Sequence, residues 1–203
     1  IGVLRAIGKP EDRIREDSLR MLRAARFCTS LGFDLDCATA EAIRASAGRL
    51  ELVSRERVFS ELDRMLLGRA PCEALRLLGR LDLLRVCLPE VAEMKGVEQP
   101  PEYHPEGDVW EHTCRMLELM RWPDQVLAWS VLLHDVGKPP TQRHDGTRFR
   151  FNGHAEEGME LAAAILRRLR APKRLVEGVS ACVGGHMRFL DTRRMKRSTL
   201  RRL

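Results

Sequence analysis

The stretch "VLAWSVLL", residues 126 to 133, has no polar side chain except Ser130, and it runs directly into His134 and Asp135. A helix that is apolar all round belongs in an interior, so the rest of the chain must supply enough structure to surround it. Gly137 and the pair Pro139-Pro140 end that helix just past His134 and Asp135. A carboxylate emerging at the end of a buried helix needs a partner or a metal ion. The chain must therefore provide covering helices and further polar groups.

The covering helices are legible. "EDSLRMLRAARFCTSLGF", stopping at Gly32, "ATAEAIRASAGRL", "SRERVFSELDRMLLGRA" and "PCEALRLLGRLDLL" are all rich in good helix formers. Pro71 suits the first position of the last of them. Ser54 is the cap for the third, although Arg57 stands where a capping box wants Glu or Gln. "EMKGVEQPPEYHPEG", with three prolines and two glycines, reads as a linker or a long functional loop. Asp108 and Glu111 then make a capping box for "VWEHTCRMLELM". "HAEEGMELAAAILRRLR" and "KRLVEGVSACVGGHM" are two more helices. Alternation around Asp145-Gly146 in "PTQRHDGTRFRFNG" predicts a short β-hairpin, the only strand signal. The expected fold is all-α in two parts, residues 1–95 and 96–203, with that one hairpin in the second.

No run approaches the roughly 18 apolar residues of a membrane span, and no signal peptide opens the chain. The six cysteines are scattered, with no Cys-x-x-Cys. That pattern predicts a reduced, cytoplasmic setting and argues against a zinc–thiolate site. The net charge of +6 comes mostly from arginine, whose planar fork suits phosphate and base edges, so an RNA partner fits. The tail "RRMKRSTLRRL" has six basic residues and no acid, with Leu200 and Leu203 at helical spacing.

Four of the six histidines form a pattern with Asp135. His112 follows Val109 by three residues and precedes Met116 by four, which puts it on the inward face of its helix. His186 extends the stripe Val176, Val179, Val183, and His154 opens a helix whose other face is Ala and Leu. Adjacent helical residues point about 100° apart. His134 and Asp135 can thus flank one ion, with ligands from other helices closing the site. Imidazole with carboxylate suits Mn, Fe, Ni, Co or Zn better than Ca. Taken singly, each histidine fits a hydrogen-bonded core residue as well.

The order His112, His134-Asp135, His154, His186 resembles the HD superfamily of metal-dependent phosphohydrolases. "YHPEGDVWEHT", "LLHDVGKPPT" and "FNGHAEEGMELA" resemble, more specifically, the HD-containing branch of the bacterial tRNA nucleotidyltransferases, the CCA-adding and poly(A) polymerase-like family. The resemblance implies His112, His134 and Asp135 as metal ligands, with His154 and His186 serving a second metal or phosphate. Lys138 would contact substrate phosphate, or is simply a helix-end lysine. One departure concerns the family's final aspartate, on a helix after the fifth histidine. Asp191 comes too soon for it, and the resemblance puts the expected residue beyond Leu203, leaving the site one ligand short.

"REDSLRMLRAARF" carries the second resemblance, to the Glu-Asp-x-x-Arg motif that opens the family's neck helix and reads the incoming base. Here the motif stands as Glu16, Asp17 and Arg20. Cytosine and adenine each show an amino donor beside a ring acceptor, which a carboxylate and a guanidinium match. Asp17 and Arg20, three apart, are expected on one helical face; the alternative is a surface ion pair worth about a few tenths of a kcal/mol. Arg23 and Arg26 would add phosphate contacts, and "SRERVFSELDRML" resembles the family's next motif. Residues 1–95 then correspond to a neck and body for nucleotide recognition and RNA binding, and 96–203 to the HD domain. The implied partners are the tRNA 3′ end, CTP and ATP.

The family's transfer chemistry uses a Gly-Ser loop and an Asp-x-Asp pair that holds two magnesium ions on a head domain. No such combination occurs here, and "DLD" at 34–36 follows the neck helix instead. The chain alone is expected not to transfer CMP or AMP. Three functions fit: the neck, body and HD parts of a tRNA nucleotidyltransferase; a free-standing HD phosphohydrolase; and a non-catalytic RNA- or nucleotide-binding helical module. Metal content separates the third from the first two.

Overall fold

The chain begins with β1 (Val3–Leu4), α1 (Pro10–Glu16), α2 (Arg20–Leu31), β2 (Asp34–Leu35), α3 (Cys37–Ser46), α4 (Arg55–Leu66), α5 (Pro71–Arg80), α6 (Leu83–Cys87) and α7 (Pro89–Ala92). After the Pro-rich loop come α8 (Val109–Leu119), α9 (Gln125–Leu133), α10 (Lys138–Thr141), β3 (Arg143–His144), β4 (Phe149–Arg150), α11 (His154–Arg168) and α12 (Lys173–Gly185). This computed structural model describes residues 2–100, 102, 105 and 107–189; Asp191 and the basic tail with Leu200 and Leu203 lie outside them.

Local chemistry explains most boundaries. Gly32 caps α2 at φ 67°, a left-handed conformation that glycine adopts without a Cβ penalty. Asp108 caps α8, its Oδ1 accepting from the Glu111 amide at 2.8 Å. Ser54 precedes α4 without a side-chain cap bond, in keeping with the incomplete box there. The hairpin forms as expected, Arg143 opposite Arg150 and His144 opposite Phe149.

Two features depart from the expectations. A second sheet exists: β1 pairs in parallel with β2, Val3 opposite Asp34 and Leu4 opposite Leu35. Strands of two residues are too short to show alternation. The first helical segment is also broken. Asp17 ends α1 in an extended conformation, φ −151° and ψ 102°. Its Oδ1 accepts from the Leu19 amide at 3.1 Å, and the Ser18 hydroxyl donates to the Ile14 carbonyl at 3.1 Å. Such local bonds compete with helix. Asp17 and Arg20 therefore do not share a helical face.

Buried apolar side chains form one continuous cluster from Ile14 to Val183, so both halves of the chain share a core. Its axis is α9, where Ala128, Trp129, Leu132 and Leu133 are fully buried. Trp129 stacks on Phe59 of α4 and donates its indole N–H to Asp63 at 3.1 Å, while Gln125 donates to the other Asp63 oxygen at 2.9 Å. On the opposite side α12 packs on both α9 and α11. Arg76 of α5 reaches Glu111 of α8 at 2.8 Å. Among the described residues, no helix is long and apolar enough to cross a membrane. Cys37 and Cys182 are exposed, the other four cysteines are buried, and all six are free thiols.

Candidate metal centre

The turn after α9 is shaped by close packing. His134 occupies the C-cap position of α9, and Asp135 is 2% exposed. Pro139 and Pro140 do more than end α9: they sit in the first turn of α10, where a missing N–H is harmless. A Cβ at Gly137 would lie 2.2 Å from the His154 carbonyl oxygen and 2.6 Å from the Gly158 nitrogen. The start of α11 thus presses on the turn and brings His154 beside Asp135.

Four helices deliver imidazoles to that carboxylate. Oδ2 of Asp135 lies 3.1 Å from Nε2 of His134 and 3.8 Å from Nε2 of His112. Oδ1 lies 3.7 Å from Nε2 of His154 and 3.7 Å from Nε2 of His186. In three of the rings the other nitrogen is engaged by a backbone carbonyl: His134 Nδ1 with Val131 at 2.8 Å, His154 Nδ1 with Phe151 at 2.8 Å, and His186 Nδ1 with Val183 at 2.6 Å. A carbonyl only accepts, so Nδ1 carries a proton in each of the three rings, and Nε2 is the nitrogen turned toward Asp135. This second-layer bond is the one that orients metal-ligating histidines. His154 and His186 bring their Nε2 atoms within 3.2 Å of each other, an arrangement of two lone pairs that a shared cation relieves.

The potential ligand atoms of His112, His134 and Asp135 all lie within 4.8 Å of one another, as do those of Asp135, His154 and His186. Asp135 belongs to both groups. Imidazole nitrogen with one carboxylate is a donor set for a borderline divalent ion, so the residues present fit a metal.

Protonation favours the same use. Burial pushes the Asp135 carboxyl up, but His134 and Lys138 outweigh it and hold the group well below the usual carboxylate range. Burial lowers both His154 and His186 below the ordinary histidine value of 6.5. Folding thus favours the neutral imidazoles, and below that value the unfolded chain takes up protons first. The stability they contribute is present above 6.5 and is lost as pH falls through their folded values. Denaturant melts from about pH 7.5 to about pH 5 should show this loss. A flat profile over the same window contradicts it.

Lys138, read from the sequence as a phosphate contact or a helix-end lysine, is 6% exposed with its ammonium 2.8 Å from Asp135 Oδ2. In front of the cluster opens a cleft of about 1080 Å³, to whose wall the hairpin contributes Arg148, Phe149, Arg150 and Phe151. Sequence reasoning used these four only as a strand. The alternation of guanidinium and aromatic side chains was the available signal for a binding wall.

The residues proposed for base recognition are arranged differently from the motif's spacing. Arg20 donates to Glu16 at 2.6 Å, and Arg13 grips both Glu16 oxygens at 2.9 and 3.1 Å. Asp17 pairs instead with Arg57 of α4 at 2.8 Å. A cleft of about 470 Å³ is lined by Arg5, Arg13, Arg20 and Arg23, with Ile7 and Phe27. Glu16 and Asp17 are not in its wall. Arg26 holds Glu61, a carboxylate only 4% exposed, at 2.7 Å and lies over the Phe27 ring. Arg26 neutralises a buried acid, a job its sequence context did not reveal.

Residues 32–95 match the family described as "Probable RNA and SrmB- binding site of polymerase A", and residues 109–202 match the HD domain. The CC-adding tRNA nucleotidyltransferase of Thermus thermophilus is 43% identical over 205 residues, 95% of this chain and 47% of that protein. That protein is a tRNA nucleotidyltransferase, a family this chain resembles over nearly its whole length. A second member, the A-adding tRNA nucleotidyltransferase of Deinococcus radiodurans, is 41% identical over 91% of this chain and 44% of its own length. The chain spans about half the length of the curated family members it matches. In fold it is similar to a CCA-adding enzyme solved with CTP, with a TM-score of 0.55 at 17% identity over 96% of this chain and 41% of that one. The apo form of a CCA-adding enzyme gives 0.56 at 18% identity, covering 98% and 42%.

Proposed function

We propose that the chain supplies the RNA-binding and HD parts of a cytoplasmic tRNA nucleotidyltransferase, and that its HD cleft hydrolyses phosphoesters with a divalent transition metal. The observation that carries the second part is the convergence of four Nε2 atoms on one buried carboxylate. His112, His134 and Asp135 hold one ion. Asp135, His154 and His186 hold a second, or receive phosphate. Mn, Fe, Co, Ni and Zn all suit this donor set. A divalent ion bound there supplies a water of lowered pKa and polarises a phosphoryl oxygen. Arg148 and Arg150 on the cleft wall provide charge for the rest of a phosphate-bearing substrate.

The purified chain, loaded in turn with Mn, Co, Ni and Zn and then desalted, should retain stoichiometric metal. It should hydrolyse an aryl phosphate or an aryl phosphodiester only with metal present. An intact fold that retains none of the four ions ends this reading.

For the first part, the proposed partners are the tRNA 3′ end, CTP and ATP. Arg20 and Arg23 offer donors in the cleft beside the α1–α2 break, and Asp17, at the break but outside the cleft wall, would offer the acceptor once a base displaces Arg57. The Asp17–Arg57 pair is half exposed on its arginine side, and ion pairs of that kind are weak enough for a base to displace. In titrations with the four nucleotides the chain should prefer CTP and ATP, and Asp17→Ala should narrow the preference by about 1–3 kcal/mol. Equal binding of all four by the unmodified chain would reduce these residues to ion pairs.

A further inference from the structure

Lys138 touches the cluster without being a ligand. Its ammonium lies 2.8 Å from Asp135 Oδ2, 2.5 Å from Gln99 Oε1 and 5.5 Å over the Phe151 ring. Gln99 is 7% exposed, and its Nε2 is buried without a partner. Turning the amide over would aim N–H groups at an ammonium that can only donate, so Oε1 is fixed as the acceptor. The loop bearing Gln99 is strapped to the start of α8, the helix of His112: the Gly96 amide donates to Asp108 at 2.6 Å and the Val109 amide to the Val97 carbonyl at 3.1 Å.

Oδ2 of Asp135 is also the oxygen nearest His112 and His134. An ammonium and a divalent ion on one oxygen compete for its lone pairs and repel each other. A buried ammonium cannot simply be left unpaired. It needs a second buried partner already within reach, and Gln99 with the Phe151 face is such a partner.

We infer that Lys138 is a built-in counter-ion that covers Asp135 until a divalent ion arrives, and that Gln99 is the positioning residue that then keeps its ammonium. The inference rests on the reading of the five residues as metal ligands. It assigns opposite signs to two neighbours. Lys138→Met removes the competitor and tightens metal binding. Gln99→Leu removes the ammonium's refuge and weakens metal binding. Gln99→Glu, a stronger acceptor, restores it. A purely structural role for Gln99 would not be rescued in metal affinity by a change of charge.

The test is a Mn²⁺ titration of the full chain, followed through the signal of free Mn²⁺, with thermal melts alongside. Lys138→Met should bind Mn²⁺ about tenfold more tightly, having lost one positive charge from contact with a ligand oxygen. Gln99→Leu should bind about tenfold more weakly, the scale of an outer-layer partner, and Gln99→Glu at least as tightly as the unmodified chain. If the unmodified chain binds Mn²⁺ and both Gln99 variants bind it equally well, the inference is overturned while the metal site stands. If the unmodified chain binds neither Mn²⁺ nor Co²⁺, both fall. Should Lys138→Met not fold, the two Gln99 variants decide.

Discussion

Asp135→Ala will strip the chain of bound metal and abolish metal-dependent hydrolysis. Asp135 is shared by both ligand groups, so one substitution removes the carboxylate from each. It also leaves the Lys138 ammonium, 6% exposed, with Gln99 and an aromatic face as its remaining neighbours. Breaking one side of a buried ion pair costs roughly 3–5 kcal/mol. Asp135→Asn keeps the volume and an acceptor oxygen beside Lys138, so its loss of stability should be smaller while its loss of metal should be as complete. Elemental analysis after desalting, read beside denaturant melts, separates the two effects. A destabilised Asp135→Ala that still retains stoichiometric metal would make Asp135 a salt-bridge residue and nothing more.

The sequence showed a good part of this juxtaposition because it is carried by helical periodicity. The apolar run before His134, the spacing of His112 from Val109 and the stripe leading to His186 each turn one histidine inward, and inward faces meet. Other parts depend on contacts that periodicity does not encode. The break at Asp17 is made by two side-chain bonds, to the Leu19 amide and from Ser18 to Ile14, in a segment of strong helix formers. The β1–β2 pair joins residues about thirty apart through strands of two residues, below the length at which alternation can be read. Gln99 sits in a Pro-rich loop whose path is set by its straps to Asp108 and Val109. Glu61 looks like any exposed helix carboxylate until burial brings Arg26 onto it. What local pattern carried was the helices and their inward faces; side-chain partnerships across the core were settled by packing.

Gly137→Ala should be the most damaging glycine-to-alanine change among the described residues. At φ −81° and ψ −8° the backbone of Gly137 suits any residue, so space, rather than conformation, demands the glycine. The added Cβ would meet three backbone atoms: the His154 oxygen at 2.2 Å, the Gly158 nitrogen at 2.6 Å and the Gly158 Cα at 3.0 Å. None can swing aside as the end of a side chain could, so α11 must move as a body. Behind it α11 already has Val183 of α12 at 3.2 Å from the Cβ position of Gly158, which limits any retreat. Overpacking against the α11 backbone, with Val183 behind it, should cost about 4 kcal/mol or more. It should also draw His154 away from Asp135, so metal retention should fall even in conditions where the fold survives. Gly79→Ala is the matching control: its added Cβ meets nothing within 4 Å inside α5, and alanine there should stabilise by up to about 1 kcal/mol. Thermal melts of the two variants with and without Mn²⁺ give the comparison. If Gly137→Ala melts with the unmodified chain and keeps its metal, α11 does not press on the His134-Asp135 turn, and the packing that gathers the histidines is not the one described.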